Sequence, residues 1–137
     1  MKIGRIFALT LALAGLALAS AACNKAGKSP SGTAQAFYNA VKSKDVAGIK
    51  NSLSKKSLEM MEMAAKADNK SLDDWLKERS EQDPPKGTFE TRNEKINGDT
   101  GTVEIRDDKD KWQTFYFVKE DGAWKMDLAR SMQGAAG

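Results

Sequence analysis

Residues 83–128 read DPPKGTFETRNEKINGDTGTVEIRDDKDKWQTFYFVKEDGAWKMDL, and the architecture turns on this stretch. Asp83-Pro84-Pro85-Lys86-Gly87 halts any helix, since proline lacks the amide donor and disfavours helical geometry in the residue before it. Beyond it the apolar spacing changes from about 3.6 residues to 2, the mark of strands. Residues 88–96 form a polar strand, and Asn97-Gly98 is a hairpin turn signal. Residues 102–106 alternate, with Val103 and Ile105 on one side, and residues 107–110 turn again. Residues 111–119 are apolar on both parities: Trp112, Tyr116 and Val118 against Phe115 and Phe117. After the turn Glu120-Asp121-Gly122, residues 123–128 set Trp124, Met126 and Leu128 against Lys125 and Asp127.

Upstream, the pattern is helical. Phe37, Ala40, Val41 and Ala36 share a face over residues 33–44. Asp45 is placed to cap a second helix that buries Val46, Ile49 and Leu53. Leu58, Met61, Ala64 and Ala65 repeat the spacing in a third helix ending near Asp68-Asn69. Ser71, with Asp74 three residues on, forms a capping arrangement before Leu72, Trp75 and Leu76. Helices first and an antiparallel meander afterwards make an α+β domain, with N-terminal helices covering one face of a sheet of about four strands. Residues 131–137 show no pattern and are expected to fray.

The N-terminus has another character. Met1 to Arg5 is short and basic, and the seventeen residues that follow are apolar or small except Thr10, Gly15 and Ser20. That is the layout of a secretory signal. The competing reading, a transmembrane anchor, meets the difficulty that an alanine-rich run of this length is at the lower limit for spanning a bilayer. Leu18-Ala19-Ser20-Ala21-Ala22-Cys23 resembles the lipobox of bacterial lipoproteins, in which small residues precede a cysteine. The resemblance implies a diacylglyceryl thioether on Cys23, cleavage before it, further acylation (palmitate among the chains), and a membrane as partner. It departs from the usual pattern in carrying Ser20 where leucine is common. An ordinary signal-peptidase cut after residue 21 would leave Cys23 as a stray thiol. The cysteine is the only one of the chain, which favours a purpose for its position. Asn24, where aspartate retains enterobacterial lipoproteins at the inner membrane, implies the outer membrane facing the periplasm in a Gram-negative host. The organisation expected is therefore a signal peptide over 1–22, a flexible tether over 23–32, a domain over 33–130 and a disordered tail over 131–137.

The domain itself resembles the nuclear-transport-factor-2-like, or cystatin-like, domains of small bacterial lipoproteins. The carrying residues are Ala36-Phe37-Tyr38-Asn39-Ala40-Val41, Lys44-Asp45, Trp112 to Phe117, and Val118-Lys119-Glu120-Asp121-Gly122-Ala123-Trp124-Lys125-Met126. The resemblance implies a curved sheet wrapped around the helices as a cone, with a pocket at its open end and dimerisation through the free sheet face. That superfamily holds isomerases, dehydratases, immunity proteins and binding modules, so it leaves the activity open.

The chemistry available to the chain is narrow. It has 22 Lys and Arg against 19 Asp and Glu, and Lys2 and Arg5 lie in the signal segment. The remaining 115 residues are nearly balanced, which gives no electrostatic reason to expect nucleic acid. With no histidine there is no Ser-His-Asp or Cys-His arrangement, and the commonest zinc ligand is missing. No glycine-rich phosphate loop or dinucleotide fingerprint occurs, so no cofactor is expected. Asp107, Asp108 and Asp110 invite a calcium loop, but neither register puts glycine sixth and an acid twelfth. They read as a solvated turn.

Tyr38, Trp75, Trp112, Tyr116 and Trp124 are the candidates for lining a pocket, although core packing accounts for each one singly. An enzyme of ketosteroid-isomerase type would draw on Asp127, Tyr38 and Tyr116; a salt-paired surface aspartate is the plainer reading of Asp127. Met60, Met61 and Met63 are read as soft core filling, a use methionine shares with adaptable binding surfaces. The expectation is a non-enzymatic envelope module binding a small ligand or an envelope protein, with a pocket enzyme and a structural envelope component as alternatives.

Overall fold

The computed structural model describes residues 26–134. The signal segment and Cys23 lie outside the described residues, as do residues 135–137. Four helices precede a four-stranded antiparallel sheet of order β1-β2-β3-β4, and a fifth helix closes the chain. The α+β class expected from the change of period is the class observed.

Helix α1 spans Pro30–Ser43 and opens three residues before the expected start. Ser29 caps it, its Oγ accepting from the Gly32 N–H at 3.0 Å, while Pro30 supplies a φ already suited to the first turn. Over its described part, this corrects the tether expected over 23–32. From Gly27 onward the chain belongs to the domain: the Gly27 N–H donates to Thr33 Oγ1 (3.0 Å) and the Trp124 N–H donates to Gly27 O (2.9 Å). The residues that resemble a linker in composition are capping residues and small residues for close packing. Pro30, Gly32, Thr33 and Ala34 are all buried.

Helix α2, Val46–Ser52, starts at Asp45, whose carboxylate accepts from the Gly48 N–H at 3.0 Å. Helix α3, Lys55–Ala67, is capped by Ser54, and helix α4, Leu72–Gln82, by Ser71. The Ser71 hydroxyl accepts from the Asp74 N–H and donates to the Asp74 carboxylate at 2.7 Å, a variant of the capping box. Ala64, expected on the buried face of α3, is exposed, whereas Ala65 is fully buried.

The strands are β1 (Thr91–Asn97), β2 (Thr100–Arg106), β3 (Trp112–Glu120) and β4 (Ala123–Asp127). Directly opposed residues share a face. Val103 opposes Phe115, Gly101 opposes Phe117, and Phe117 opposes Met126, so these side chains form the face turned to the helices. The core joins them to Trp124, Ala34, Ala40, Ile49, Leu53 and Leu76. Phe117, at 2 % exposure, stands at its centre. Gly101 admits α1 to the sheet: a Cβ there would lie 2.9 Å from Pro30 Cγ.

The two edges of the sheet differ. β4 is covered, because Leu53 bridges Met126 in parallel and the Ser54 N–H donates to Met126 O at 3.0 Å. β1 is open and polar, with a register shift between Arg92 and Lys95 where Asn93 adopts a φ of 52°. The expected fraying of residues 131–137 is likewise corrected over its described part, since α5 spans Leu128–Gly134. Asp127 accepts from the Arg130 N–H in the manner of an N-cap, and the buried Ser131 hydroxyl accepts from the Tyr116 N–H at 2.9 Å. That second bond ties α5 to β3, fifteen residues away, a contact that no local pattern reports.

Candidate functional site

A cleft of about 420 Å³ opens at the end of the sheet that carries the β2–β3 turn. Helix α1 forms one wall. Ala34, Phe37, Tyr38 and Val41 are spaced by three and four residues, which stacks them on one face toward the sheet. Ile105 and Phe115 form the opposite wall, and Met126 lies at the floor. The third side is the Pro84-Pro85 connection ending in Phe89. Tyr38 ties this side to α1: its hydroxyl donates to Gly87 O at 2.9 Å and its ring lies 4.9 Å from that of Phe89. Proline suits this wall because it holds an extended path without needing a hydrogen-bonding partner.

The rim is polar, and two of its charged side chains, Arg106 and Asp107, are held by partners of their own. Arg106 reaches Glu90 at 2.8 Å and Asp110 at 2.9 Å. These bonds, Glu90 foremost, hold its guanidinium above the usual range. Asp107 accepts from the N–H groups of Lys111 (2.8 Å) and Lys109 (2.9 Å) and from Gln113. The Lys111 bond is the main reason its carboxyl lies below the ordinary range. Asp107 therefore orders the turn. Among the described residues no group of three His, Cys, Asp or Glu could hold a metal ion. Lys86, exposed at the rim, forms no ion pair with a described carboxylate.

The five aromatic residues singled out from the sequence do not converge. Tyr38 lines the cleft. Trp124 is 4 % exposed and belongs to the core. Trp75 packs against the core from α4, with its Nε1 donating to Asp68 at 2.9 Å and the Arg79 guanidinium 4.9 Å from its ring. Trp112 and Tyr116 are on the sheet face turned away from the first four helices. Arg92 covers the Trp112 ring at 4.1 Å, and Arg130 covers the Tyr116 ring at 4.7 Å. Tyr116 borders a separate depression beneath α5, together with Leu128 and Met132.

Asp127 opposes Tyr116 across the strands and shares that outer face, with one carboxylate oxygen engaged by the Arg130 N–H. Tyr38 is on the other side of the sheet, so the two tyrosines and the aspartate make no common site. Among the methionines, Met61 packs on the core and Met63 is 66 % exposed.

Phe37, Val41, Ile105 and Phe115 were readable only as positions on an apolar face, and Phe89 lay within a stretch that reads as a polar strand. Their function as cleft walls comes from partial burial around the Pro-Pro break, which no local pattern reports. A second concavity, about 500 Å³ and polar, lies between α1 and α2 near Gly27 and Lys125. Asn39, Ser43, Asp45 and Asn51 line it, and Lys125 Nζ donates to Asn51 O. No family model, curated protein or solved structure matches the chain.

Proposed function

We propose that this chain is an exported envelope lipoprotein, anchored through Cys23, whose domain is a nuclear-transport-factor-2-like cone that holds a small apolar ligand without transforming it. The observation that carries the reading is the cleft, which has apolar walls, a size in the range of small-molecule sites and a rim where Arg106 is engaged by Glu90 and Asp110 and Asp107 by the N–H groups of its own turn. Lys86 is the cation available to an acidic group at the ligand's outer end. The lipobox-like residues 18–23 support the anchor, and Asn24 supports the outer membrane of a Gram-negative host. The quoted helix and strand residues support the cone.

An isomerase or dehydratase would need an acid and a phenol aimed at one bound molecule. Asp127 and Tyr38 stand on opposite sides of the sheet, and within the cleft the Tyr38 hydroxyl is committed to Gly87 O and the Asp107 carboxylate to its own turn, so the binding reading has the better support. The partly exposed Trp112, Tyr116 and Val118 are the residues through which a homodimer would form, or an envelope protein dock.

The reading is tested in two parts. Metabolic labelling with palmitate should mark the chain and fail on Cys23→Ala; an unlabelled wild-type chain removes the anchor. The cleft is tested by native mass spectrometry of the domain from its own host, joined to titration with an apolar fluorescent probe. Val41→Trp should fill the cleft and abolish both probe enhancement and any adduct mass. Undiminished probe binding by a folded Val41→Trp chain refutes the cleft as the site.

A further inference from the structure

We infer that the cleft opens away from the membrane, with the opposite end of the sheet held at the bilayer surface by a leash too short to let the domain turn over. The inference rests on lipidation of Cys23, proposed above. What it adds is an orientation, and with it the compartment from which the ligand comes.

The leash follows from where the fold begins. Gly27 is fixed at the start of β4, bonded to Trp124 and to Thr33, with Ala123 Cβ 3.2 Å from where a Gly27 side chain would begin. Only four residue steps separate Gly27 from Cys23, about 14 Å of fully extended chain. A tether reaching to residue 32 would have been more than twice as long.

The ends of the sheet follow from the register. Ala123 opposes Glu120, so the anchored point is beside the β3–β4 turn, at the same end as the β1–β2 turn. Lys119 N–H donates to Asp99 O, which joins those two turns. The cleft rim, Arg106 to Asp108, is beyond the other end of β2. The six steps from Thr100 to Arg106 amount to about 20 Å at the rise of a strand, longer than the leash. Helix α1 agrees. Its first turn packs on Gly101 and bonds Trp124 O through Thr33, while Tyr38 and Val41, two to three turns on, stand in the cleft.

Surface charge does not oppose this orientation. At the anchored end Lys28, Lys55, Lys119 and Lys125 stand among Asp99, Glu120 and Asp121, a nearly balanced set, and Lys55 pairs with Asp121 at 3.5 Å. The covalent lipid therefore sets the orientation with little dependence on salt. The cleft takes its ligand from the aqueous compartment, as a free solute or from a soluble carrier, rather than from the bilayer.

The test uses the full lipidated chain, in which the Cys23 sulfur is a thioether and does not react with thiol labels. Single Asp99→Cys and Asp108→Cys chains, both altered at exposed turn positions, are labelled with bimane. They are reconstituted in phosphatidylethanolamine–phosphatidylglycerol vesicles containing headgroup-nitroxide lipid, with folding checked by circular dichroism. The expected result is loss of most emission at position 99 and no loss at 108, unchanged in high salt. Equal quenching at both positions, or at neither, in chains that float with the vesicles overturns the orientation while leaving the anchor intact. Chains that do not float refute the anchor, and the inference with it.

Discussion

Thr33→Val is the sharpest perturbation of the segment that joins leash to domain. The side chain is 1 % exposed, and its volume is nearly conserved by the change, so packing is left almost intact. What is lost is a hydroxyl that accepts from the Gly27 N–H at 3.0 Å and donates toward Ser29 O (2.9 Å) or Trp124 O (3.1 Å). A donor or acceptor stranded in the interior costs roughly 1–3 kcal/mol. Taking about 2 kcal/mol and roughly 4–8 °C per kcal/mol for a domain of this size, Tm should fall by about 8–16 °C. The assay is thermal and urea unfolding of the unlipidated chain from residue 24, followed by tryptophan fluorescence. Amide exchange at Gly27 should accelerate by a larger factor than exchange in β3. A loss below about 0.5 kcal/mol, within the range of an ordinary surface substitution, would show that the Thr33 hydroxyl does not hold residues 27–29. The leash would then be longer than inferred, and the orientation argument would lose its geometric basis.

Ser57→Ala tests the attachment of α5. Ser57 is fully buried, and its hydroxyl accepts from the Leu128 N–H at 2.9 Å, so the change should cost about 1–3 kcal/mol in urea unfolding. An unchanged midpoint would mean that α5 begins without that bond. Phe117→Ala should cost about 3–5 kcal/mol and leave little folded chain at 37 °C, as a centre-of-core cavity does. Retained cooperative melting within 1–2 °C of wild type would contradict the core assignment. Acid should destabilise the fold through Asp107 and Glu104, both held below the ordinary carboxyl range, Asp107 chiefly by the Lys111 N–H and Glu104 chiefly by Asn93. Since each carboxyl is more acidic folded than unfolded, its contribution is present above the unfolded pKa and lost as pH falls through the folded one. Tm should thus begin to fall below about pH 4, and Asp107→Asn should flatten that fall; an identical acid slope in the variant would refute the role of Asp107.

Local chemistry was readable in the sequence, and contacts between distant residues were not. Asp45 and Ser71 announce helix starts because a capping side chain bonds an amide two or three residues away. The strand sequence and its turns follow from alternation and from Asn97-Gly98 and Asp121-Gly122, where the chain needs positive φ. Parity along β3 separates Phe115 and Phe117 from Trp112, Tyr116 and Val118, but it does not say which row faces the helices. Phe117 against Met126, and α1 beneath them, decides that. The same limit hid the domain's true start. Ser29-Pro30 is compatible with both a linker and a capped helix, and the choice is made by Thr33 bonding to Trp124, 91 residues away. The cleft was hidden for a related reason: its walls come from α1, the Pro-Pro connection and two strands, all apolar in a way that predicts burial without saying how complete.

Lipid anchoring confines copies of a protein to two dimensions and raises their encounter rate, a setting in which an unpaired strand invites sheet propagation from one molecule to the next. The edges described above resist it. β4 is already partnered by Leu53 and Ser54, and Asn93 breaks the regular spacing of donors and acceptors along β1 in a stretch that carries Arg92, Glu94 and Lys95. For a chain anchored as proposed, crowding on the membrane would bring domains together through side-chain contacts that reverse readily, while backbone-to-backbone growth into aggregates is discouraged at both margins of the sheet.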